Sequence, residues 1–129
     1  MAKPSAQDLS RRERQIMDIV YRRDRVTVAH VREELPDPPS YSAVRAMLRV
    51  LEEKGHLKHE QDGPRYVYIA TVPRERARDS ALQRLLTTFF DDSAEQAVAA
   101  LLDMSAADLS EEDLDRLSDL IERAREEGR

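Results

Sequence analysis

Apolar residues recur with helical spacing in three segments of the first half of the chain. A capping box, Ser10 with Glu13 three residues later, precedes the first segment, and Thr27 can cap the second, which ends at a group of prolines. The third runs from about residue 40 to 54, with Gly55 as its C′ residue. The three apolar stripes comprise Ile16, Met17, Ile19 and Val20, then Val28, Val31 and Leu35, and then Val44, Met47, Leu48 and Leu51. The pattern therefore predicts three amphipathic helices.

The pattern then changes from helical spacing to alternation. Residues 55–60 and 65–70 are two short alternating runs, and between them lies Gln61-Asp62-Gly63-Pro64, whose Asp-Gly pair marks a turn. A short extended piece is also predicted at residues 25–27. The resulting order of helix, short strand, helix, helix and hairpin is that of a winged helix-turn-helix.

Helical spacing returns after residue 72. Pro73 is predicted at the N1 position of a helix that ends near Asp91 and Asp92. Two further helices are predicted to begin with capping pairs, Ser93 with Gln96 and Ser110 with Asp113. We therefore predict a mostly α-helical fold with a small β-hairpin wing. Its domains would be a winged-helix DNA-binding domain over residues 1–72 and a helical dimerisation domain over residues 73–129.

Three short helices in about 57 residues bury too little apolar surface to offset their ordering entropy. A second copy of the chain would complete their core, so a homodimer is predicted. The predicted dimerisation residues are Leu85, Leu86, Phe89, Phe90, Val98, Leu101, Leu102, Leu114, Leu117 and Ile121.

The distribution of charge separates the same two halves. The net charge is -5, yet residues 1–84 hold 17 Lys and Arg against 13 Asp and Glu, whereas residues 85–129 hold 4 against 13. Such asymmetry indicates that the first half meets an anion. The chain has no Cys and no run of 18 apolar residues, and residues 1–9 lack the apolar core of a signal peptide. We expect a cytoplasmic protein without a membrane partner.

The helix at residues 40–54 has the properties of a helix that enters the major groove of double-stranded DNA. Arg45 and Arg49 lie one turn apart on its outward face, where guanidinium groups bind guanine or phosphate. Tyr41 and Ser42 would contact phosphate or base edges. The small side chains of this helix that would touch thymine methyl groups are Ala43 and Ala46. An ordinary solvated face is the alternative interpretation.

Other basic residues are weaker candidates for phosphate contacts. Arg65 lies beside the hairpin turn and Lys58 on the paired strand, as in a wing that binds the DNA backbone. Arg11 and Arg12 begin the first helix, where the macrodipole disfavours cations, and they either contact phosphate or solubilise the surface.

The sequence contains no pattern typical of an enzyme or a metal site. His56 and His59 have i, i+3 spacing on a strand and so point to opposite faces, and His30 has no second ligand at i+4. With three glycines, the chain has no Gly-rich phosphate loop, and it has no nucleophile elbow. We predict no catalytic residues, no metal and no cofactor.

From Leu9 to about Arg125 the chain resembles the penicillinase-repressor (BlaI/MecI-like) family of transcriptional regulators. The resemblance rests on three segments, which are residues 40–55 of the third helix, Tyr66-Val67-Tyr68 in the wing and residues 109–114 near the C-terminus. It implies a winged-helix head, a helical dimerisation tail and repression through a dyad-symmetric operator. It also implies that Ser42, Arg45, Ala46 and Arg49 face the bases.

The chain departs from this family at several positions. Ala43 and Ala46 occupy positions of the third helix where the family commonly has threonine, and Val50 occupies a position where it usually has Arg. The operator sequence of the family therefore does not carry over to this chain. The antibiotic-resistance members are inactivated by cleavage at an Asn-Phe bond, but this chain has no Asn. Copper-responsive relatives sense through C-terminal cysteines, which are also missing. What relieves repression is therefore open, and an upstream sensor or protease of unknown identity is one candidate partner.

Two other functions are compatible with the same patterns. The winged helix can serve as a protein-interaction module with the acidic tail as its docking surface. Alternatively, a small molecule can bind between the tail helices of a ligand-responsive regulator, although an aromatic content of 5% makes a pocket less favourable.

Overall fold

The computed structural model describes residues 9–128, which form six helices and three short strands. The elements are α1 (Arg11–Arg23), β1 (Arg25–Val26), α2 (Val28–Glu34), α3 (Tyr41–Glu53), β2 (Leu57–Asp62), β3 (Arg65–Ala70), α4 (Arg74–Phe89), α5 (Ala94–Ser105) and α6 (Glu111–Glu127). This order confirms the predicted fold class. We expected no signal peptide in residues 1–9. Residues 1–8 of that segment lie outside the described residues.

The chain divides into two compact units, up to Asp79 and from Ser80 onward. This division falls inside α4, whereas the sequence placed the domain boundary between residues 72 and 73, and that boundary stays a prediction. Pro73 differs from its prediction by one position. Its carbonyl accepts the first helical hydrogen bond, from the Ala77 N–H at 3.0 Å, so Pro73 is the N-cap of α4 rather than N1.

The predicted capping box begins α1 and also connects this helix to α3. The Ser10 N–H donates to Glu13 Oε1 at 2.8 Å, and Ser10 Oγ accepts from the Glu13 N–H at 3.2 Å. Lys54 Nζ, beyond the end of α3, donates to both carboxylate oxygens of Glu13 at 2.9 and 3.0 Å. Burial opposes ionisation of Glu13, but the hydrogen bonds from Ser10 and Lys54 outweigh it and lower the pKa of this carboxyl.

Thr27 and Gly55 occupy the two positions predicted for helix ends. Thr27 caps α2, and His30 Nδ1 accepts from the Thr27 N–H at 3.2 Å, so this histidine completes a capping box. At the end of α3, Gly55 has φ +89°. Its N–H donates to Glu52 O, and the His56 N–H donates to Leu51 O, both at 3.0 Å. These two bonds form a Schellman motif, which confirms Gly55 as the C′ residue.

The three strands form one antiparallel sheet in the order β1-β3-β2. We call β2, β3 and their turn the wing. Asp62 pairs with Arg65, so the turn contains only Gly63 and Pro64, and β2 extends two residues beyond its predicted end. Gly63 has φ +63°, and proline cannot adopt positive φ, so the pair fits a type II′ turn. This turn matches the strand twist and allows the ladder to continue to Asp62.

The first unit encloses a single hydrophobic core between α1, α2, α3 and the sheet. Every residue of the three predicted apolar stripes is buried except Met47, which is half-buried against the same cluster. The side chains with no solvent exposure in this core are Ile16, Val26, Val31, Val44, Leu48 and Leu51. The core therefore fixes the back of α3 and leaves its opposite face to solvent.

The second unit contains α5, α6 and most of α4, and none of its described residues is buried. At the corner after α4, Asp91 and Asp92 have φ +50° and +62°, and Thr87 Oγ1 donates to Asp92 Oδ1 at 2.6 Å. Ser93 caps α5 through the Gln96 N–H, but its own N–H donates to Phe90 O at 2.8 Å. That bond replaces the other half of the predicted capping pair.

Ser110 and Asp113 form the complete capping box predicted for α6. Ser110 Oγ accepts from the Asp113 N–H, and the Ser110 N–H donates to Asp113 Oδ2, both at 3.0 Å. Asp113 also accepts from Arg116 at 2.6 Å. The hydrogen bonds from Ser110, followed by that from Arg116, lower the pKa of the Asp113 carboxyl. This acidic residue thus has a structural role at the helix start.

Candidate nucleic-acid interface

Helix α3 presents a polar face because three of its apolar residues anchor the opposite face. Val44, Leu48 and Leu51 are completely buried at spacings of four and three residues. A helix fixed in this way directs the remaining positions of each turn away from the core. The residues of α3 that line its outward side towards the wing include Ser42, Arg45, Ala46 and Arg49. These are the four residues to which the sequence assigned a base-facing role.

The wing supplies the other wall of an open groove with a volume of about 280 Å³, which we call the α3–wing groove. In the antiparallel register, His59 pairs with Tyr68, and Tyr66 lies two residues before Tyr68 on β3. Alternation along the strands therefore places these three rings on one face of the hairpin. All three line the groove opposite α3.

A contact between Glu52 and His59 connects the two walls of the groove. His59 Nδ1 lies 2.7 Å from each carboxylate oxygen of Glu52, and the His59 backbone N–H donates to Glu52 Oε2 at 3.1 Å. The His59 ring stacks on Tyr66 with centroids 4.2 Å apart and an interplanar angle of 19°. Burial, and then the nearby carboxylate of Glu52, raise the pKa of Tyr68. A carboxylate from α3 is therefore fixed beside the aromatic face of the wing.

Lys58 and Arg65 lie on the opposite face of the wing from these rings. Lys58 pairs with Ile69 and Arg65 with Asp62, one residue out of phase with His59 and Tyr66. Arg65 also forms an ion pair with Asp62 at 3.3 Å beside the turn. The structure therefore does not bring Lys58 and Arg65 together with Arg45 and Arg49, and their contact with DNA phosphate stays a prediction.

The two arginines at the start of α1 differ in their contacts. Arg11 is exposed at the first helical position. The Arg12 guanidinium donates to Pro36 O and Asp37 O, both at 2.6 Å, in the loop between α2 and α3. Asp37 itself has φ +45°. Arg12 therefore ties α1 to the loop that leads into α3, a structural role that the sequence did not indicate.

Tyr41 and Ala43, the remaining candidates on α3, lie apart from the groove. Tyr41 is 54% exposed and borders a shallow depression that Arg32 and Pro38 also line. Ala43 is half-buried, and its N–H donates to Ser40 Oγ at 3.2 Å in the helix cap. A thymine contact by Ala43 is thus less accessible than one by Ala46, which lies on the outward side.

Glu52, His59, Tyr66 and Tyr68 line the groove although the sequence analysis did not assign them to it. Two signals identify them in retrospect. Glu52 follows Arg45 by seven positions and Arg49 by three, so all three share a face of α3. Alternation across the hairpin places the three rings on one side once the turn is fixed at Gly63 and Pro64.

The family model described as penicillinase repressor matches residues 9–123 of the chain. The chain belongs to the penicillinase repressor family. This match confirms the resemblance seen in the sequence. Membership of this family supports a DNA-binding transcriptional repressor as the function. The family consists of transcriptional regulators rather than enzymes.

A protein of Latilactobacillus sakei, described as an uncharacterised 16.5 kDa protein in the ptsI 3′ region, is 35% identical to this chain over 80 residues. The alignment covers 62% of the chain and 53% of the relative. The chain thus spans about half the length of the curated relative it matches.

The second unit of the chain carries the residues predicted for dimerisation. Half-buried members of this set are Leu86, Phe90 and Leu117. The exposed members are Leu85, Phe89, Val98, Leu101, Leu102, Leu114 and Ile121, and further exposed apolar residues that the sequence analysis did not include are Leu82, Met104 and Leu120. Their pairing with a second copy stays a prediction.

None of the helices in residues 9–128 is both long enough and apolar enough to cross a lipid bilayer. Across the same residues, His, Asp and Glu side chains do not form a group of three that could hold a metal ion.

Proposed function

We propose that this repressor binds a dyad-symmetric operator as a homodimer, with α3 in the major groove of each half-site. In the α3–wing groove, Arg45 and Arg49 lie one turn apart on a helix whose apolar face is fully buried, and this geometry is the main support for the proposal. Guanidinium groups recognise guanine O6 and N7 with two parallel hydrogen bonds, and a rigid helix positions them without a large entropic cost.

The other groove residues have supporting roles in this proposal. Ala46 lies between the two arginines, and its methyl group can contact a thymine methyl. Ser42, near the start of α3, supplies a hydroxyl for phosphate or a base edge. The wing would follow the DNA backbone, with Arg65 and Lys58 as phosphate contacts from its outer face. Arg11 is a further phosphate contact, whereas Arg12 supports α3 through the loop it binds.

The homodimer is supported by the apolar residues of the second unit. Ten large apolar side chains of α4, α5 and α6 are between 38% and 80% exposed in the single chain. Large exposed apolar patches on soluble proteins mark interaction sites. A second copy offers the same surface, and a two-fold arrangement lets each copy cover the other. Two heads joined in this way would meet half-sites about 10 bp apart, or a multiple of that distance.

We also propose that the protein is cytoplasmic, because a protein that binds an operator must reach chromosomal DNA. An upstream sensor or protease that ends repression stays a prediction.

The proposal is tested by selecting bound sequences from a random duplex library at near-physiological salt with the full chain. We expect an enriched inverted repeat. The double variant Arg45→Ala, Arg49→Ala should abolish the enrichment. The single change Arg45→Ala should weaken the free energy of operator binding by about 1–3 kcal/mol and relax specificity at one base position.

The operator affinity of the unaltered chain should fall ~10³–10⁵-fold between 50 and 200 mM salt if roughly 6–10 phosphates are contacted.

A matched control removes the same charge from α6. Arg123→Ala with Arg125→Ala leaves α3 unchanged, and Arg125 forms an exposed ion pair with Glu122 at 3.4 Å. This control should retain the enriched repeat. A stable dimer without enrichment at any salt concentration would refute operator binding and favour the protein-interaction module. Equal loss in both double variants would show that net charge, rather than α3, determines binding.

A further inference from the structure

The contact between Glu52 and His59 connects the two walls of the α3–wing groove, which are α3 and the wing. Its atoms define the tautomer of the histidine. An ionised carboxylate offers acceptors alone, so the His59 Nδ1 atom, 2.7 Å from both Glu52 oxygens, carries a proton and donates it. The nitrogen that gains or loses a proton is therefore Nε2.

The surroundings of His59 combine charges of both signs with aromatic rings. Helix α3 contributes the carboxylate of Glu52 and the guanidinium groups of Arg45 and Arg49 to the same groove. Strand β3 contributes Tyr66, which stacks on the imidazole, and Tyr68, whose ring centroid lies 5.9 Å away. On its own strand, the neighbours Lys58 and Glu60 alternate to the opposite face.

The net charge of this pair depends on the protonation of the histidine. With a neutral imidazole, Glu52 adds one negative charge to the groove, and that charge repels DNA phosphate. With an imidazolium, the pair is neutral and Arg45 and Arg49 determine the sign of the groove. Histidine is the side chain that ordinarily changes charge between pH 5 and 8.

We infer that Glu52 and His59 form a positioning pair that holds the wing against α3 and makes operator affinity pH-dependent, with protonation of His59 strengthening binding. This inference rests on the proposed function, because it needs DNA in the α3–wing groove. Glu52 acts through His59 on the charge and the width of the groove, and neither residue needs to read a base.

The test measures affinity of the full chain for a selected operator duplex from pH 6.0 to 8.5 at constant ionic strength, by fluorescence anisotropy. We expect the affinity to fall about tenfold over this range, within the limit of tenfold per pH unit for each linked proton. His59→Gln should bind with an affinity that stays constant to within about twofold over the same range. His30→Gln is the matched control, because glutamine at the third helical position keeps the capping box of α2. This control should retain the pH profile of the unaltered chain.

A second variant separates charge from shape. In Glu52→Gln, the glutamine and a neutral His59 together carry no net charge. The unaltered pair also carries no net charge when His59 is an imidazolium. At pH 8.5 this variant should therefore bind the operator about as tightly as the unaltered chain does at pH 6.0. If Glu52→Gln at pH 8.5 binds no more tightly than the unaltered chain at that pH, the carboxylate is not the cause and the inference is wrong.

The remaining outcomes distinguish this inference from the proposed function. Operator binding that is independent of pH in the unaltered chain refutes the pair as a pH-sensitive element and leaves the proposed function intact. The same conclusion follows if His59→Gln keeps the pH profile or if His30→Gln loses it. Absence of duplex binding at every pH refutes the proposed function itself, and the inference with it.

Discussion

The two units of this chain contain similar amphipathic helices, but only those of the first unit bury their apolar faces. In the first unit, Leu48 and Leu51 of α3 have no solvent exposure, because α1, α2 and the sheet cover them. In the second unit, Leu101 of α5 is 58% exposed and Phe89 of α4 is 73% exposed. Apolar spacing therefore identifies the face of a helix that is to be buried, but not whether the same chain covers that face.

The largest expected effect comes from disrupting the closed core. Leu48→Ala should destabilise the first unit by about 2–5 kcal/mol, since a fully buried leucine loses its transfer free energy and leaves a cavity. The four tyrosines all lie between residues 21 and 68 and the chain has no Trp, so tyrosine fluorescence during urea unfolding reports on this unit. The loss should be the same at low and high protein concentration. A cost below 1 kcal/mol would mean that α3 is not anchored as described.

A smaller effect, of a different kind, is expected in the second unit. Leu101→Ala should weaken self-association by about 1–3 kcal/mol, which raises the dimer Kd about 5- to 150-fold, as for a residue central to an interface. Sedimentation equilibrium measures this change. Asp103→Ala on the same helix is the matched control and should leave the dimer Kd unchanged. If Leu101→Ala does not affect association, the exposed apolar face has another partner and the homodimer loses its main support.

The smallest effect concerns the ion pair that ties α1 to α3. The pKa of Glu13 is lowered from its ordinary value of 4.5, so its contribution to stability is complete above that pH and is lost as the pH falls through the lowered pKa. Glu13→Gln should lower the free energy of unfolding by about 1 kcal/mol at neutral pH. The variant should also lose less stability than the unaltered chain when the pH is lowered. Urea unfolding at pH 7 and at pH 3, followed by tyrosine fluorescence, tests both.

Glu60→Gln is the control for this prediction. Glu60 forms an ion pair with Arg25 at 3.0 Å, but both side chains are 54% exposed, and exposed pairs contribute little to stability. Glu60→Gln should leave the free energy of unfolding almost unchanged at pH 7 and at pH 3. An equal response of the two variants would show that the buried position of Glu13 confers no advantage, and would weaken the contrast between a closed first unit and an open second one.

Local chemistry explains most of what the sequence predicted correctly. The capping boxes at Ser10 and Ser110 need only residues three positions apart, and Gly55 ends α3 because glycine adopts positive φ without strain. Helical spacing identified the buried helical residues of the first core, but not Val26, Leu57 and Tyr68 on the strands. It also identified the outward face of α3 with Arg45 and Arg49, because the position of the buried stripe determines which residues remain outside.

Contacts between distant residues were not predictable in the same way. Lys54 lies 41 positions from Glu13, and Arg12 lies 24 and 25 positions from the carbonyls it binds in the α2–α3 loop. The pairing of β1 with β3 likewise joins segments more than 40 residues apart in the sequence. Each contact requires that the helices first pack, and no spacing within one segment specifies it.

The sequence by itself determined the order of the elements, the caps that begin and end them and the apolar face of each helix, because these depend on propensity and spacing over a few residues. Tertiary structure alone decided that Glu52 meets His59 across the α3–wing groove, that Lys58 and Arg65 lie on the other face of the wing, and that Arg12 supports α3. The physical reason is that a strand register shifted by one residue reverses every side chain, and only the packed sheet and its type II′ turn fix that register.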